Sequence, residues 1–203
     1  MYFELLKQFF DENKPETRVP IAAAIMHFQI KAFIISDANS YRDAFDKLKE
    51  EVMPERLIEA APRKAEIQKI TAGAEIVRAV RRKQDPLNYD AIVDKAMEFE
   101  EEIVPDIIRR FKNNMTSEFI ETATLVLGKS KMDMADEIMG YYDDMRSPYA
   151  QSMALVLLGF KADVCAIPWL ILKHNEMKRR YPRDNYHYGA YYGLVEMAER
   201  FLE

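Results

Sequence analysis

Glycine is scarce in this 203-residue chain, with six in all, and stretches of apolar–polar alternation are almost absent. Those two shortages exclude a β-sandwich or barrel, which needs many tight turns and period-two strands. They point to an all-α fold. No glycine-rich phosphate loop and no nucleophile-elbow motif occurs. The single cysteine, Cys165, excludes an intramolecular disulfide. Its place in the apolar part of an expected helix reads as a buried small hydrophobe. An excess of positive charge is missing too. The 34 acidic and 29 basic residues are well mixed and give a net charge of −5, an ordinary solvated surface rather than that of a dedicated nucleic-acid binder. The longest apolar run, residues 19–35, is interrupted by His27, Gln29 and Lys31 and is too short and polar for a membrane span. Residues 1–13 carry Glu4 and Lys7 and lack the continuous apolar stretch of a secretory signal. The expected location is the cytoplasm. With three histidines and no HExxH, paired Glu-x-x-His or Cys–His cluster, no cofactor is expected.

The most organised stretch is Ser147–Met177. An apolar helix, Tyr149 to Leu158, is expected to end at Gly159, which suits the left-handed position past a helix end. A second apolar helix follows Asp163, a natural N-cap, with Pro168 in or near its first turn. So short a connection predicts an antiparallel pair. Thr116–Met145 repeats the pattern. Sliding it by 31 residues aligns Ala123 with Ala154, Leu127 with Leu158, Gly128 with Gly159 and Ala135 with Ala166. Val104–Ile108 resembles Ile167–Ile171 about two periods upstream. Repeats of this size imply stacked helical hairpins, none able to bury its own face alone.

On Asp163, Ala166, Pro168, Leu170 and Ile171, and over about residues 88–177, the chain resembles the HEAT-repeat family of α-solenoids. The resemblance implies stacked antiparallel helical hairpins presenting a binding groove. The copy at Asp133 lacks the proline, and its Asp-to-Ala spacing is one residue shorter. An irregular helical bundle is the alternative architecture.

Periodicity places about ten or eleven helices along a single domain, residues 1–203. Tyr2–Phe10 forms the first, ended by Pro15, and Pro20 opens a nearly all-apolar one to about Ile35, expected to be central. A third covers Tyr41–Val52, with Phe45 and Leu48 inward. Pro54 and Pro62 bracket a short helical piece, and a longer helix, Arg63–Arg82, follows. Its end carries Arg78, Arg81, Arg82 and Lys83, where cations complement the helix dipole. Asp85–Asn88 is the candidate sub-boundary, dividing N-terminal helices (1–85) from helical repeats (88–203). The next helix runs to about Glu102, with a break or kink at Pro105. Lys178–Asn185 reads as a basic loop, and Tyr186–Leu202 as a closing helix with aromatics on one side.

Candidate chemistry lies in three groups. His27 reads as a satisfied core or surface histidine, His174 as a residue ending its helix, and His187 as sharing a face with Asp184. Glu98 and Glu101, one turn apart, and Asp133 and Asp136, at the same spacing, are the acids that an oxygen-ligated Mg²⁺ would use. In this they resemble the all-α nucleotide pyrophosphohydrolases of the MazG type, which implies an enzyme acting on a phosphorylated substrate; Asp133 stands where that pattern has Glu. Acid runs on helices are, however, ordinarily solvated faces, and no metal site is assigned. The third group is aromatic and basic: Tyr141, Tyr142, Trp169, Tyr188, Tyr191 and Tyr192 with Arg179 and Arg180. Tyrosine, tryptophan and arginine are frequent anchors of protein interfaces. Stacked on bases, the same groups would serve a HEAT-like DNA-binding or DNA-glycosylase-like protein, against which the acidic balance argues.

The preferred reading is a macromolecule-binding helical-repeat module with another protein as partner, in a protein-protein interaction or scaffold role. Nucleic acid and membrane are not the expected partners, and no residue pattern reads as catalytic. The alternatives are the Mg²⁺-dependent enzyme and the DNA-binding protein.

Overall fold

Pro148–Lys161 is apolar on every side, and a helix of that kind has no solvent face to offer. In the computed structural model, which describes residues 15–34, 43, 46–47, 49–50 and 54–201, every residue from Ala150 to Gly159 is buried. All described secondary structure is helical: ten α-helices, with short 3₁₀ turns and one π-helical stretch, and no strand among the described residues. They are α1 (Pro15–Gln29), α2 (Pro54–Gln68), α3 (Gly73–Val80), α4 (Tyr89–Met97), α5 (Glu100–Asn113), α6 (Ser117–Lys129), α7 (Ala135–Tyr141), α8 (Pro148–Lys161), α9 (Ile167–Arg180) and α10 (Tyr188–Phe201). The all-α expectation holds. No helix among the described residues is long and apolar enough to cross a membrane. The helix expected at Tyr2–Phe10 lies outside the described residues. Of Tyr41–Val52, only Asp43, Asp46, Lys47, Lys49 and Glu50 are described, and all are helical.

The chain divides into two compact units. The first comprises residues 1–28, 112–115 and 132–203, and the second residues 29–111 and 116–131. In the first, Ser147 opens α8 by accepting the N–H of Ala150 at 3.2 Å, a side-chain cap. Asp163 Oδ1 accepts the N–H of Val164 and caps a 3₁₀ turn, Val164–Ala166. Pro168 sits in the first turn of α9, where its missing N–H costs nothing. Although the α8–α9 connection is short, α8 packs most extensively on α10, and α9 packs on α10 as well. The closing helix is therefore the common partner of the two.

Close packing of α8 on α10 explains a second departure. Gly159 does not end its helix. Among the described residues no glycine has a positive φ, and α8 continues to Lys161. A Cβ on Gly159 would stand 2.5 Å from the Cα of Gly193, and one on Gly193 would stand 2.3 Å from the carbonyl oxygen of Leu155. The glycines are used to let two backbones approach. Cys165 likewise differs from its reading: it lies in the 3₁₀ turn before α9 and is exposed.

In the second unit α4 occupies the middle, against α2, α3 and α6, and α6 also meets the π-helical stretch Ile30–Ile34. Tyr89 of α4 donates its hydroxyl to Glu121 of α6 at 3.2 Å, both residues buried. Burial first, then the Glu121 carboxylate, pushes the phenol far above the ordinary tyrosine range. The turn at Asp85–Asn88 lies within this unit, where Asp85 Oδ1 accepts the N–H of Leu87 at 3.0 Å. Prolines mislead in three places. The helix α1 begins at Pro15 rather than at Pro20. Pro62 lies inside α2, where it has no N–H to give to the helical ladder. Pro105 lies inside α5, whose boundary with α4 falls at Glu98–Phe99 instead. The expected helix Arg63–Arg82 is in fact two, parted before Gly73.

Candidate binding cleft

Three helical segments of the first unit build a concave site. The 3₁₀ turn Tyr142–Asp144, after α7, supplies Tyr142 and Asp143. Helix α8 supplies Gln151, and the last turns of α9 supply Glu176, Met177, Arg179 and Arg180. Together they line a cleft of about 430 Å³. Tyr142 is held in place from two sides. Gln151 Nε2 donates to its carbonyl oxygen at 3.1 Å, and the ring of Trp169 packs edge-on against its ring with centroids 5.1 Å apart.

Lys173 organises the charges beneath. Its ammonium donates to both carboxylate oxygens of Asp143, at 2.7 and 3.0 Å, and to Glu176 at 2.9 Å. It also lies over the rings of Tyr142 and Trp169, 5.4 and 5.6 Å from their centroids, close enough for cation–π attraction. Burial opposes this charge. The hydrogen bonds to Asp143 and then to Glu176 outweigh it and hold the lysine above its ordinary pKa. Both cleft acids are thus engaged by one buried cation.

The arginines are not so engaged. Arg179 and Arg180 are exposed, and neither forms an ion pair among the described residues; Arg180 stacks over Tyr181 at 5.3 Å. The Tyr142 hydroxyl is buried and has no hydrogen-bond partner among the described residues. Burial first, then Asp143 and Glu176, pushes it far above the tyrosine range, with Arg180 pulling the other way. It stays a neutral O–H able to donate or accept. Chemically the cleft offers two exposed guanidinium groups beside the largely buried Tyr142 ring and Met177.

Tyr142, Arg179 and Arg180, read from the sequence as binding candidates, meet in this cleft, and Trp169 supports it from behind. Tyr141 does not line it. It is buried, its hydroxyl is also without a partner among the described residues, and Lys112 Nζ lies 5.5 Å over its ring. Burial, then Glu137, raises its pKa beyond the ordinary range. Tyr188, Tyr191 and Tyr192 belong to a separate line of rings. His174 meets His187 edge-on at 5.2 Å, His187 meets Tyr188 at 4.8 Å, Tyr188 meets Tyr191 at 6.2 Å, Tyr191 meets Tyr192 at 5.1 Å, and Tyr192 reaches His27 at 5.5 Å. His187 thus packs against His174 and Tyr188. Its Nδ1 is buried without a partner among the described residues, and burial, with the charges of His174 and Lys178, pushes its pKa below the ordinary value.

Of the acids read as possible Mg²⁺ ligands, Glu98 and Asp133 have partners of their own. Glu98 and Glu101 are not one turn apart on a helix: Glu98 caps the end of α4 and Glu101 lies in the first turn of α5. Glu98 is paired with Lys95 at 2.7 Å. Asp133 Oδ1 accepts the N–H of Ala135 at 3.3 Å, and Asp136 lies in the first turn of α7, where a negative charge complements the helix dipole. Among the described residues no three or more His, Cys, Asp or Glu side chains cluster as a metal site would need.

One polar pair escaped the sequence reading. His27 Nε2 lies 3.1 Å from Glu196 Oε2, and both residues are buried. A histidine in an otherwise apolar helix signals that a polar partner must exist. Nothing in the sequence marks Glu196, 169 residues away, as that partner. The chain matches no model of a protein family, no curated protein and no solved structure.

Proposed function

We propose that the chain is a protein-binding helical module and that the cleft of the first unit takes an acidic segment of its partner. The observation carrying this reading is the pairing of opposites within the cleft: both acids are consumed by Lys173, while Arg179 and Arg180 hold no acidic partner among the described residues. A carboxylate-bearing peptide would complete them with charge-assisted, bidentate hydrogen bonds. An apolar side chain of the same peptide would meet Met177 and the Tyr142 wall. The architecture proposed with it is the HEAT-like array. Its support is that α6 begins at Ser117 and α8 at Pro148, 31 residues apart, the offset at which the two sequence segments align.

Selection from a random peptide-display library against the intact chain tests the binding reading, followed by fluorescence anisotropy of the enriched peptides. The expected peptides place Asp or Glu beside an apolar residue. Their affinity falls at least tenfold for the double variant Arg179→Glu/Arg180→Glu, since each charged hydrogen bond is worth about 1.5–3 kcal/mol. Peptides lacking an acidic signature, or binding the variant as tightly, would overturn the reading.

A further inference from the structure

Three arginines of the second unit meet at one concavity that the cleft above does not involve. Arg78 and Arg81 leave the end of α3 three residues apart, on one helix face, and Arg110 comes from α5. They border a cleft of about 340 Å³ whose floor is apolar, including the buried Val77 and Ile103. The α3 dipole accounts for cations at the end of that helix, but not for a third from another helix converging there.

The state of each group suits the site to an anion. Asp106 Oδ2 accepts from Arg110 Nε at 2.7 Å and the same carboxylate takes Arg109. Those hydrogen bonds, that of Arg110 foremost, hold Asp106 below the ordinary carboxylate range despite its partial burial. Asp106 thereby fixes the Arg110 side chain through Nε and leaves the two terminal nitrogens unbonded among the described residues. Arg78 and Arg81 have no ion-pair partner among the described residues either. The other cleft acid, Glu102, lies at the opposite end of α3, where its carboxylate rests against Gly73; a Cβ there would be 2.6 Å from it. It therefore sits by the positive end of the helix dipole, about 12 Å along the axis from Arg81. At the arginine end the one cleft carboxylate is that of Asp106, and Arg110 and Arg109 already take it.

We propose that this cleft binds a phosphate dianion, free or as the terminal monoester of a small molecule or lipid headgroup. Three planar forks in a half-enclosed site suit an acceptor with several oxygens and two charges better than a single carboxylate. The apolar floor accommodates the organic side of an ester.

Titration calorimetry of the intact chain with inorganic phosphate, phenyl phosphate and vesicles containing phosphatidate, each against sodium chloride at equal ionic strength, tests the proposal. Saturable binding is expected in at least one arm, and the arm that is tightest identifies the source. Arg81→Gln and Arg110→Gln should each weaken it at least tenfold, the size of one charged hydrogen bond. Arg81→Lys should retain part of it, and Arg146→Gln, at an exposed arginine of the other unit that lines neither cleft, should leave it unchanged. Circular dichroism confirms folding, and Arg81, being exposed, provides a variant whose fold is safe. Binding that chloride reproduces, that the Arg81 and Arg110 variants keep, or that is absent from all three arms overturns the proposal.

Discussion

Gly159 of α8 and Gly193 of α10 stand so close that a Cβ on the first would fall 2.5 Å from the Cα of the second. No side-chain rotation relieves such an overlap, because the obstacle is backbone. The Gly159→Ala substitution is expected to force the two helices apart and to destabilise the chain by about 1–3 kcal/mol, the usual range for overpacking. Gly140 is the control. It is an exposed residue inside α7, and an alanine methyl there would meet nothing within 4 Å, so Gly140→Ala is expected to stabilise by about 0.5–1 kcal/mol. Urea unfolding of the two variants, with equal m-values, checks both signs.

Lys173 and its two carboxylates make an asymmetric triad. The ammonium is buried, whereas the side chains of Asp143 and Glu176 are 76% and 40% exposed. Removing the cation leaves acids that water rehydrates. Removing the acids strands a charge in the core. Lys173→Met, which keeps the stem against Tyr142 and Trp169, is expected to cost about 0–1 kcal/mol. The double variant Asp143→Ala/Glu176→Ala is expected to cost more, about 1–3 kcal/mol for a buried group without its bonds. Chemical denaturation at neutral pH distinguishes the two; equal losses would contradict the asymmetry.

His187 predicts a pH dependence. Its pKa is depressed in the folded chain, by burial first and then by His174 and Lys178, from an unfolded value of about 6.5. The unfolded state therefore binds the proton more readily. The stability this neutral histidine represents is present above about pH 6.5 and is lost as pH falls through the folded value. Between about pH 7.5 and about pH 5, either side of that unfolded value, the unfolding free energy should fall less in His187→Gln than in the parent chain. An identical decline in both would rule the residue out as a contributor.

The helices themselves were legible, and the reason is local. Apolar residues at helical spacing mark α8 and α10 to within a few residues, and Ser147 and Asp163 act as the caps their side chains suit. Punctuation was less legible because proline and glycine each have more than one structural use. Pro62 and Pro105 read as stops, yet both lie inside helices. Gly159 reads as a helix end, yet its missing Cβ admits a neighbouring backbone. Cys165 reads as core because its flanks are apolar, yet the 3₁₀ turn ahead of α9 exposes it. Of the candidate site, residue types at the ends of α7 and α9 singled out Tyr142, Arg179 and Arg180. The pattern offered no sign that Lys173 would neutralise Asp143 from 30 residues away.

Composition and periodicity thus settle that the chain is helical and which faces are apolar, since both follow from interactions within a few residues along the backbone. Which helices pair, and which charges are cancelled and which left open, follow only from packing. His27 needed a polar partner from the moment it stood in an apolar helix, but that Glu196 is that partner depends on α1 and α10 meeting in the core. Arg179 and Arg180 stand out in the sequence only by residue type, as basic residues near aromatics. They border a cleft because the turn after α7 brings Tyr142 against the end of α9, and because a buried lysine has already taken the acids that would have quenched them.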